Sequence, residues 1–422
     1  MIVINIICAI NIVLWLLFIL CYAHHIVYII VACFKKPVEY PETEKKNRYA
    51  FMISARDEES VIGQLCDSIR AQEYPAELID IYVVADNCND ETARVAAEHG
   101  AYTYERSDLE HIGKGYALEF LFGKVREKMG EDYYEGFFIV DADNLLEQNY
   151  IYEMNKAVAA DKKIVVCYRN SKNYGENWIA SGSSLWFLRA SRHLNNPRTM
   201  LGTSCEVNGT GFFVHKDIIN RQGGWIHKLM IEDIEFTVDN VINGEKVAYC
   251  HKAMVYDEQP VTFHQSFRQR MRWSRGYLQI IRNYGGRLIR GLFGKNGFSC
   301  YDMIMSISPG MFLTLIIFAL SLIMLIISPA ISTKALIISL INVASTVIGA
   351  YVFFFFVGLV SGISEWKNIK TSNKKKVLSF FTFPLFMYTY LPIVAVSLFR
   401  KVGWKPIEHH AVDSDSELIT KK

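Results

Sequence analysis

Long apolar runs at both ends of the chain decide most of what it can fold into. Residues 2–34 are almost wholly apolar, interrupted by His24 and His25, and the run stops at Lys35-Lys36-Pro37. It is too long for a secretory-signal core and has neither a basic start nor a small-residue cleavage site. A helix of roughly 20 apolar residues crosses the ~30 Å hydrocarbon layer, so residues 1–36 read as an N-terminal transmembrane helix. The lysine pair marks its cytoplasmic end and leaves the first residues outside. The two histidines read as tolerated near one end rather than as ligands. Residues 303–328 and 335–360 are each long enough to span, joined by a short link. Lys367, Lys370, Lys374, Lys375 and Lys376 put the next loop in the cytoplasm. Residues 377–399, broken by Pro384 and Pro392, either cross or turn back, which leaves open the side taken by the polar tail, 401–422, with Trp404, His409 and His410.

Hydrophobic residues make up 51% of the 422; the ends take that excess and leave residues 48–262 with the mixed polarity of a folded domain. A net charge of +2 excludes the broad basic field of a nucleic-acid binder. The nine cysteines are scattered, with no C-x-x-C pair or Cys/His cluster. That argues against a zinc site or a disulfide framework and fits reduced cytosolic thiols.

Within the middle region strands and helices alternate. Residues 50–54 read as a buried strand, followed by Ala55-Arg56-Asp57-Glu58-Glu59 and an amphipathic helix carrying Val61, Ile62, Leu65 and Ile69. A second strand, 79–84, ends at Asp86-Asn87-Cys88-Asn89-Asp90, where Asn89 or Asp90 can cap a helix that Gly100 stops. A third, 101–105, leads to Gly113-Lys114-Gly115 and a helix over 116–128; a fourth, 136–140, runs into Asp141-Ala142-Asp143. Such alternation at short spacing calls for a parallel sheet covered by helices. Ligands gather beyond the carboxyl ends of such strands, where Asp86, Lys114, Asp141 and Asp143 fall. Residues 163–260 continue the domain: a strand over 163–168, a helix over 178–193 with Trp186 and Phe187, Asn208-Gly209-Thr210-Gly211, a helix opened by Glu232-Asp233, and a strand over 247–250.

Next comes Gln269-Arg270-Met271-Arg272-Trp273, ahead of a stretch with Arg282, Arg287 and Arg290 among Leu and Ile. Residues 263–300 therefore read as interfacial helices. Arginine pairs with phosphate oxygens through two parallel N–H bonds, and tryptophan offers a flat face to a sugar ring. The same residues equally suit a headgroup anchor. Asp141-x-Asp143 offers hard oxygens to Mg2+ or Mn2+, which would bind a diphosphate at the same time, although solvated turn carboxylates look alike in sequence. Lys114 can reach a phosphate. Asp86 and Glu58 can hydrogen-bond a base and ribose, or merely cap helices. Glu232-Asp233 has the same double reading, with the option of taking a proton from an attacking hydroxyl.

The order of these pieces says more than any one of them. Asp86, Asp141-x-Asp143, Glu232-Asp233 and Gln269-x-x-Arg272-Trp273 resemble the D, D-x-D, (T/E)-D and Q-x-x-R-W series of membrane-embedded family 2 glycosyltransferases, the cellulose, chitin and hyaluronan synthase group. Asn208-Gly209-Thr210-Gly211 and Asp257-Glu258-Gln259-Pro260 resemble that family's G-T-G and (D/E)-x-x-P surroundings. The resemblance covers nearly the whole chain and implies an α/β GT-A-type (Rossmann-like) catalytic domain over 48–262 plus an α-helical transmembrane domain over 301–400. It implies that Ala55, Glu58, Asp86, Lys114 and Asp141 bind a UDP-sugar donor, and that Asp141 and Asp143 hold Mg2+ or Mn2+. Asp233, helped by Glu232, would be the general base. Gln269, Arg270, Arg272 and Trp273 would close over the diphosphate and the acceptor end of a nascent polysaccharide. One departure is the loop Ser54-Ala55-Arg56-Asp57-Glu58-Glu59, where an Asn often precedes the glutamates.

The expectation is an inverting, processive transferase of the plasma membrane with a cytoplasmic catalytic domain. It would polymerise UDP-glucose into a cellulose-like or mixed-linkage (1,3;1,4)-β-glucan and pass the polymer through its own spans. The alternatives are a hyaluronan-, chitin- or N-acetylglucosaminan-type synthase, a non-processive transferase acting on a lipid-linked acceptor, and a transporter or anchored nucleotide-binding subunit. The last predicts charged residues inside the spans.

Overall fold

The computed structural model describes residues 1–400 together with Gly403 and His409. The rest of the tail, Trp404 and His410 included, lies outside the described residues. Helix α1 (Ile2–Phe34) is unbroken. Then come β1 (Tyr49–Ala55), α2 (Ile62–Arg70), β2 (Ile79–Asp86), α3 (Thr92–Glu98), β3 (Tyr102–Arg106), α4 (Lys114–Met129) and β4 (Gly136–Asp141). β1 pairs in parallel with β2 and β4, and β2 with β3. β1 is buried almost throughout because both of its faces are covered. Ala50 and Met52 pack with Leu118 and Leu121 of α4, whereas Phe51 and Ile53 pack with Leu65 and Ile69 of α2.

The second half supplies β5 (Leu145–Leu146), α5 (Tyr150–Ala159), β6 (Ile164–Ser171), α6 (Trp178–Arg189), α7 (Asn196–Met200), β7 (Phe212–His215), α8 (Lys216–Gln222), α9 (Glu232–Ile242) and β8 (Val247–Asp257). One sheet runs in the order β3-β2-β1-β4-β7-β6-β8-β5, with β7 antiparallel to both neighbours. The last strand continues past 250 to Asp257. His251 and Lys252 interrupt its apolar pattern at a register shift opposite Cys167 and Tyr168, after which pairing with β6 resumes. The helix expected over 178–193 ends at Arg189, and Ala190–Asn195 winds as a π-helix.

Helix α10 (Phe263–Gly291) is started by Thr262, whose hydroxyl accepts the Gln265 amide at 3.2 Å; a cap of this kind contributes about 1 kcal/mol. The chain continues through α11 (Gly297–Ile307), α12 (Pro309–Ile327), α13 (Thr333–Ser364), α14 (Asn373–Tyr388) and α15 (Tyr390–Phe399). Among the described residues, four stretches are long and apolar enough to cross a membrane: Ile2–Phe34, Gly297–Ala330, Thr333–Ser364 and Asn373–Phe399. Asn11 of α1 donates to Ser321 of α12 at 3.0 Å and to Asn342 of α13 at 3.2 Å, tying three apolar helices by polar contacts that have no competing water.

Two features differ from the sequence reading. His24 is a partner rather than a bystander: its Nε2 lies 3.3 Å from Asp302 of α11, and the Tyr28 hydroxyl donates to the same carboxylate at 2.7 Å. Arg198 of α7 grips Asp302 with two bonds of 2.7 and 2.9 Å. The pair α14–α15, whose path was open, turns back. α14 packs Phe380, Phe383 and Phe386 into the core of the α/β domain beside Leu185. The approach is close because Gly182 has no side chain: a Cβ there would sit 2.5 Å from the Phe386 ring. α15 then runs along α10, and His409 lies at Glu58, so the chain is again beside the α/β domain.

Candidate active site

The carboxyl ends of the parallel strands carry the predicted acids to one edge. At the end of β1, below the buried Ala55, Asp57 turns with a φ of 56°, and the Glu58 amide donates to Thr92 at 2.8 Å. The Glu58 carboxylate receives His409 Nδ1 at 2.9 Å. At the end of β2, Asp86 is buried against Arg106 of β3, its register neighbour. Lys114, in the first turn of α4, donates to Asp141 Oδ1 at 2.5 Å and to the Gly209 carbonyl at 2.9 Å, with Glu232 Oε1 at 3.7 Å. The Thr210 hydroxyl accepts the Asp141 amide at 2.8 Å. The glycine-rich loop thereby fixes the end of β4, and Gly211 (φ 67°) lets it pass over Val255. Asp143, 6% exposed, accepts the Glu258 amide at 3.0 Å.

Arg169 of β6, unmarked by any sequence motif, links these acids to the membrane side. Its Nε donates to Asp257 at 2.7 Å, and its guanidinium lies 3.6 Å from the centre of the Phe187 ring, a contact that favours a planar cation. Phe187 in turn meets Trp273 edge-on at 5.9 Å. A Cβ built on Gly209 would stand 3.1 Å from Arg169 Nη1 and 3.9 Å from Asp233 Oδ2, so these groups face one small space. Gln269 Oε1 and Arg272 Nε, one helical turn apart on α10, are buried with no hydrogen-bond partner among the described residues.

Electrostatics mark the same edge. Burial, with the fields of Asp143 and Asp141 added, pushes Glu58 up to about 7 against the pull of His409. Burial likewise pushes Glu232 to about 7, with Lys114 opposing and Asp233 reinforcing the shift. Asp233 is raised by burial and by Asp141, with Lys114 and Arg169 opposing. Burial would raise Asp143 too, but His409, Lys172 and the Glu258 amide hold it below its usual range. His409 is pushed up to about 10, because Asp143 and Glu58 outweigh its burial. So many carboxylates around Lys114 and Arg169 give the strand ends the hard oxygens that a divalent cation prefers, Asp141 and Asp143 among them.

Arg270 corrects the sequence reading. It is 1% exposed and turned away from the strand ends, donating to the Phe386 carbonyl at 3.2 Å and to Thr389 at 2.6 Å. Its guanidinium also lies over Phe386 and Tyr390. At i+1 from Gln269 it points about 100° round α10, and its bonds to Phe386 and Thr389 make it an anchor of the α14–α15 bend rather than a group available to a diphosphate. Arg106, Arg169 and His409 were missed. Arg106 was legible only from the β2–β3 register, and His409 only from the return of α14–α15.

Comparisons with known proteins agree with this architecture. The chain is 24% identical over 258 residues to the probable glycosyltransferase YdaM of Bacillus subtilis, covering 56% of this chain and 57% of that protein. It is 23% identical to a beta-monoglucosyldiacylglycerol synthase of Trichormus variabilis, covering 61% of this chain and 54% of the relative. It is 19% identical to a poly-beta-1,6-N-acetyl-D-glucosamine synthase of Staphylococcus epidermidis, covering 57% of each. The chain thus spans about half the length of the curated relatives it matches. Among solved structures, a mannosyltransferase of Pyrobaculum calidifontis, in complex with GDP-Man and Mn2+, superposes with a TM-score of 0.57 at 14% identity, covering 93% of this chain and 99% of that one. That likeness shows the GT-A fold. Residues 47–276 match the family described as glycosyltransferase like family 2, and the chain belongs to that family.

Proposed function

We propose that the protein is an inverting β-hexosyltransferase of the plasma membrane, multi-pass, with its catalytic domain in the cytoplasm, which uses a UDP-sugar with Mg2+ or Mn2+. The observation that carries this reading is the chain of contacts Asp257–Arg169–Phe187–Trp273, which ties the end of β8 to α10 and supports a single site between them. The acceptor hydroxyl loses its proton to Asp233 while its oxygen attacks the anomeric carbon. The bond from that carbon to the diphosphate breaks on the opposite face, turning an α-linked donor into a β-linked product. Asp141 and Asp143 would hold the cation, whose charge offsets that of the diphosphate. Lys114 and Arg272 stand ready to stabilise the leaving group, and Glu58 and Asp86 to hold the uridine. Gln269 and Trp273 take the acceptor end. The Mn2+ and nucleotide sugar of the mannosyltransferase support this use of the fold.

The product is first read as a polymer, with UDP-glucose built into a cellulose-like or mixed-linkage β-glucan and translocated. A hyaluronan-, chitin- or N-acetylglucosaminan-type product is the alternative donor choice. Transfer of one or a few sugars to a lipid acceptor is the second reading, favoured by the return of α14–α15, which leaves α1, α11–α12 and α13 to cross. The test is to incubate the purified protein in nanodiscs with UDP-glucose, UDP-N-acetylglucosamine or UDP-glucuronate and Mg2+ or Mn2+. UDP release is expected with one of them and is expected to stop with EDTA. A high-mass product cut by linkage-specific glycanases supports polymerisation; label confined to the lipid extract supports the second reading. No UDP release from any donor would overturn the transferase reading.

A further inference from the structure

One side of the second half of α10 is left without a protein partner. From Gln259 to Tyr301 the chain has no acidic residue, while arginines recur along it and Lys295 follows them. Arg287 is paired with Asp239 of α9 at 3.1 Å. Arg282, Arg290 and Lys295 are exposed and have no carboxylate partner among the described residues. Arg282, Ile289 and Arg290 lie within an arc of about 100° round the helix. They point away from Leu288, which is buried in the core shared with Cys300 and Met303 of α11. Phe293, just past the helix end, is 91% exposed, and Ile289 and Phe298 are exposed by about half. The turn between the helices is tight: a Cβ on Gly291 would stand 2.6 Å from Cys300 Sγ. Large apolar side chains set among unpaired cations are poorly served by water alone, and a charged headgroup layer over acyl chains takes both.

The depth of this face follows from the spans. α12 runs antiparallel to α1. Ser332 beyond its end reaches Met1 Sδ at 3.7 Å, Ser321 meets Asn11 at 3.0 Å, and the Gly310 amide donates to the Tyr22 hydroxyl at 2.8 Å. An apolar layer of ~30 Å takes roughly 20 helical residues, so a layer that begins at Met1 and Ser332 ends near Tyr22 and Gly310. At that boundary the Phe298 ring meets His24 edge-on at 6.2 Å, and the Tyr301 hydroxyl donates to the Cys21 carbonyl at 3.1 Å. The junction of α10 with α11 therefore stands at the edge of the apolar layer on the Lys35 side. The lysine asymmetry reads that side as cytoplasmic, where anionic lipid gives the leaflet a negative surface potential. We propose that Arg282, Arg290 and Lys295 bind the headgroups of anionic phospholipids in that leaflet, with Phe293 and Phe298 seated at the acyl boundary beneath them. The proposal does not depend on the transferase reading.

The test counts the lipids that the full chain retains. The protein is taken from vesicles of dioleoyl phosphatidylcholine and dioleoyl phosphatidylglycerol in equal parts, which share acyl chains and differ in headgroup charge. Native mass spectrometry is expected to show phosphatidylglycerol adducts in excess by about fivefold. The excess should shrink in about 0.5 M salt, where charges are screened beyond ~4 Å. The triple variant Arg282→Gln/Arg290→Gln/Lys295→Gln is expected to retain the two lipids equally. The control Lys128→Gln/Lys162→Gln/Lys246→Gln removes as many exposed cations from the α/β domain and should keep the excess. Both triple variants alter exposed side chains, so their melting temperatures should match that of the unaltered protein. Phe293→Ser is expected to lower retention of both lipids and leave their ratio unchanged. Equal retention by the unaltered protein, an excess that survives the first triple variant, or an excess lost equally in the control would overturn the proposal. Displacement of phosphatidylglycerol by free glycerol phosphate would overturn it too, by assigning the cations to a soluble anion. So would a dimer in the same spectra that the first triple variant dissolves, which would give this face to a second copy of the chain.

Discussion

At the scale of single residues, two acids in consecutive positions are asked to do different things. Asp233→Asn keeps the shape of the side chain and removes the base, so turnover should fall by roughly 10²–10⁴-fold, while UDP binding by calorimetry should stay within a few-fold. Unchanged turnover would remove Asp233 from the role. Glu232 gives a stability prediction with a definite sign. Its carboxyl moves from 4.5 to about 7 on folding, chiefly through burial. The folded state therefore holds that proton more tightly, and the stability gained is complete below 4.5 and lost as the pH rises through 7. Glu232→Gln should thus raise the melting temperature at pH 8, by about 1 to 3 kcal/mol of relief, and make little difference at pH 5. Asp86, Asp141 and Asp143 were legible because they follow strands whose apolar run ends abruptly, as at Val140-Asp141, and Glu232-Asp233 because they open a helix. Arg169 was not, because its importance comes from Phe187 and Asp257, which only the folded chain brings to it.

At the scale of elements, α10 has two faces with separate duties, and substitution should separate them. Arg272→Ala removes a cation from the cleft, so turnover should drop about 10²-fold with an unchanged melting temperature. Arg270→Ala removes the charged donor to Thr389 and the Phe386 carbonyl and the cation over the Phe386 and Tyr390 rings, a loss of about 1.5–3 kcal/mol, and should lower the melting temperature by several degrees. Equal effects on melting would mean that both side chains face the same way. The seam between α6 and α14 depends on missing side chains. Gly182→Val would drive a branched side chain into Phe386, and thermal unfolding in detergent should begin earlier. The α/β alternation could be read in advance because buried parallel strands are continuous apolar runs. The end of β8 could not, since His251 and Lys252 sit at a register shift that the pattern alone presents as a stop.

At the scale of the whole molecule, the sequence divides cleanly into apolar ends and a mixed middle, yet the folded chain does not respect that division. The path of α14–α15 predicts that an epitope placed at the C-terminus is protected in sealed right-side-out vesicles and becomes reachable in inverted ones, together with the catalytic domain; exposure in the right-side-out vesicles would refute the turn. Asp302 has the widest consequence. It stands on α11, its two strongest bonds come from Arg198 of the catalytic half, and its remaining ones from Tyr28 and His24 of α1. Cutting the chain before Gly297 leaves the buried Arg198 without Asp302, its closest counter-ion, a penalty of about 3–5 kcal/mol against a typical stability of only 5–15 kcal/mol. Cutting after Lys36 removes the Tyr28 and His24 bonds to the same carboxylate. Trimming this protein to a soluble fragment for biochemistry would therefore remove a keystone rather than a tether.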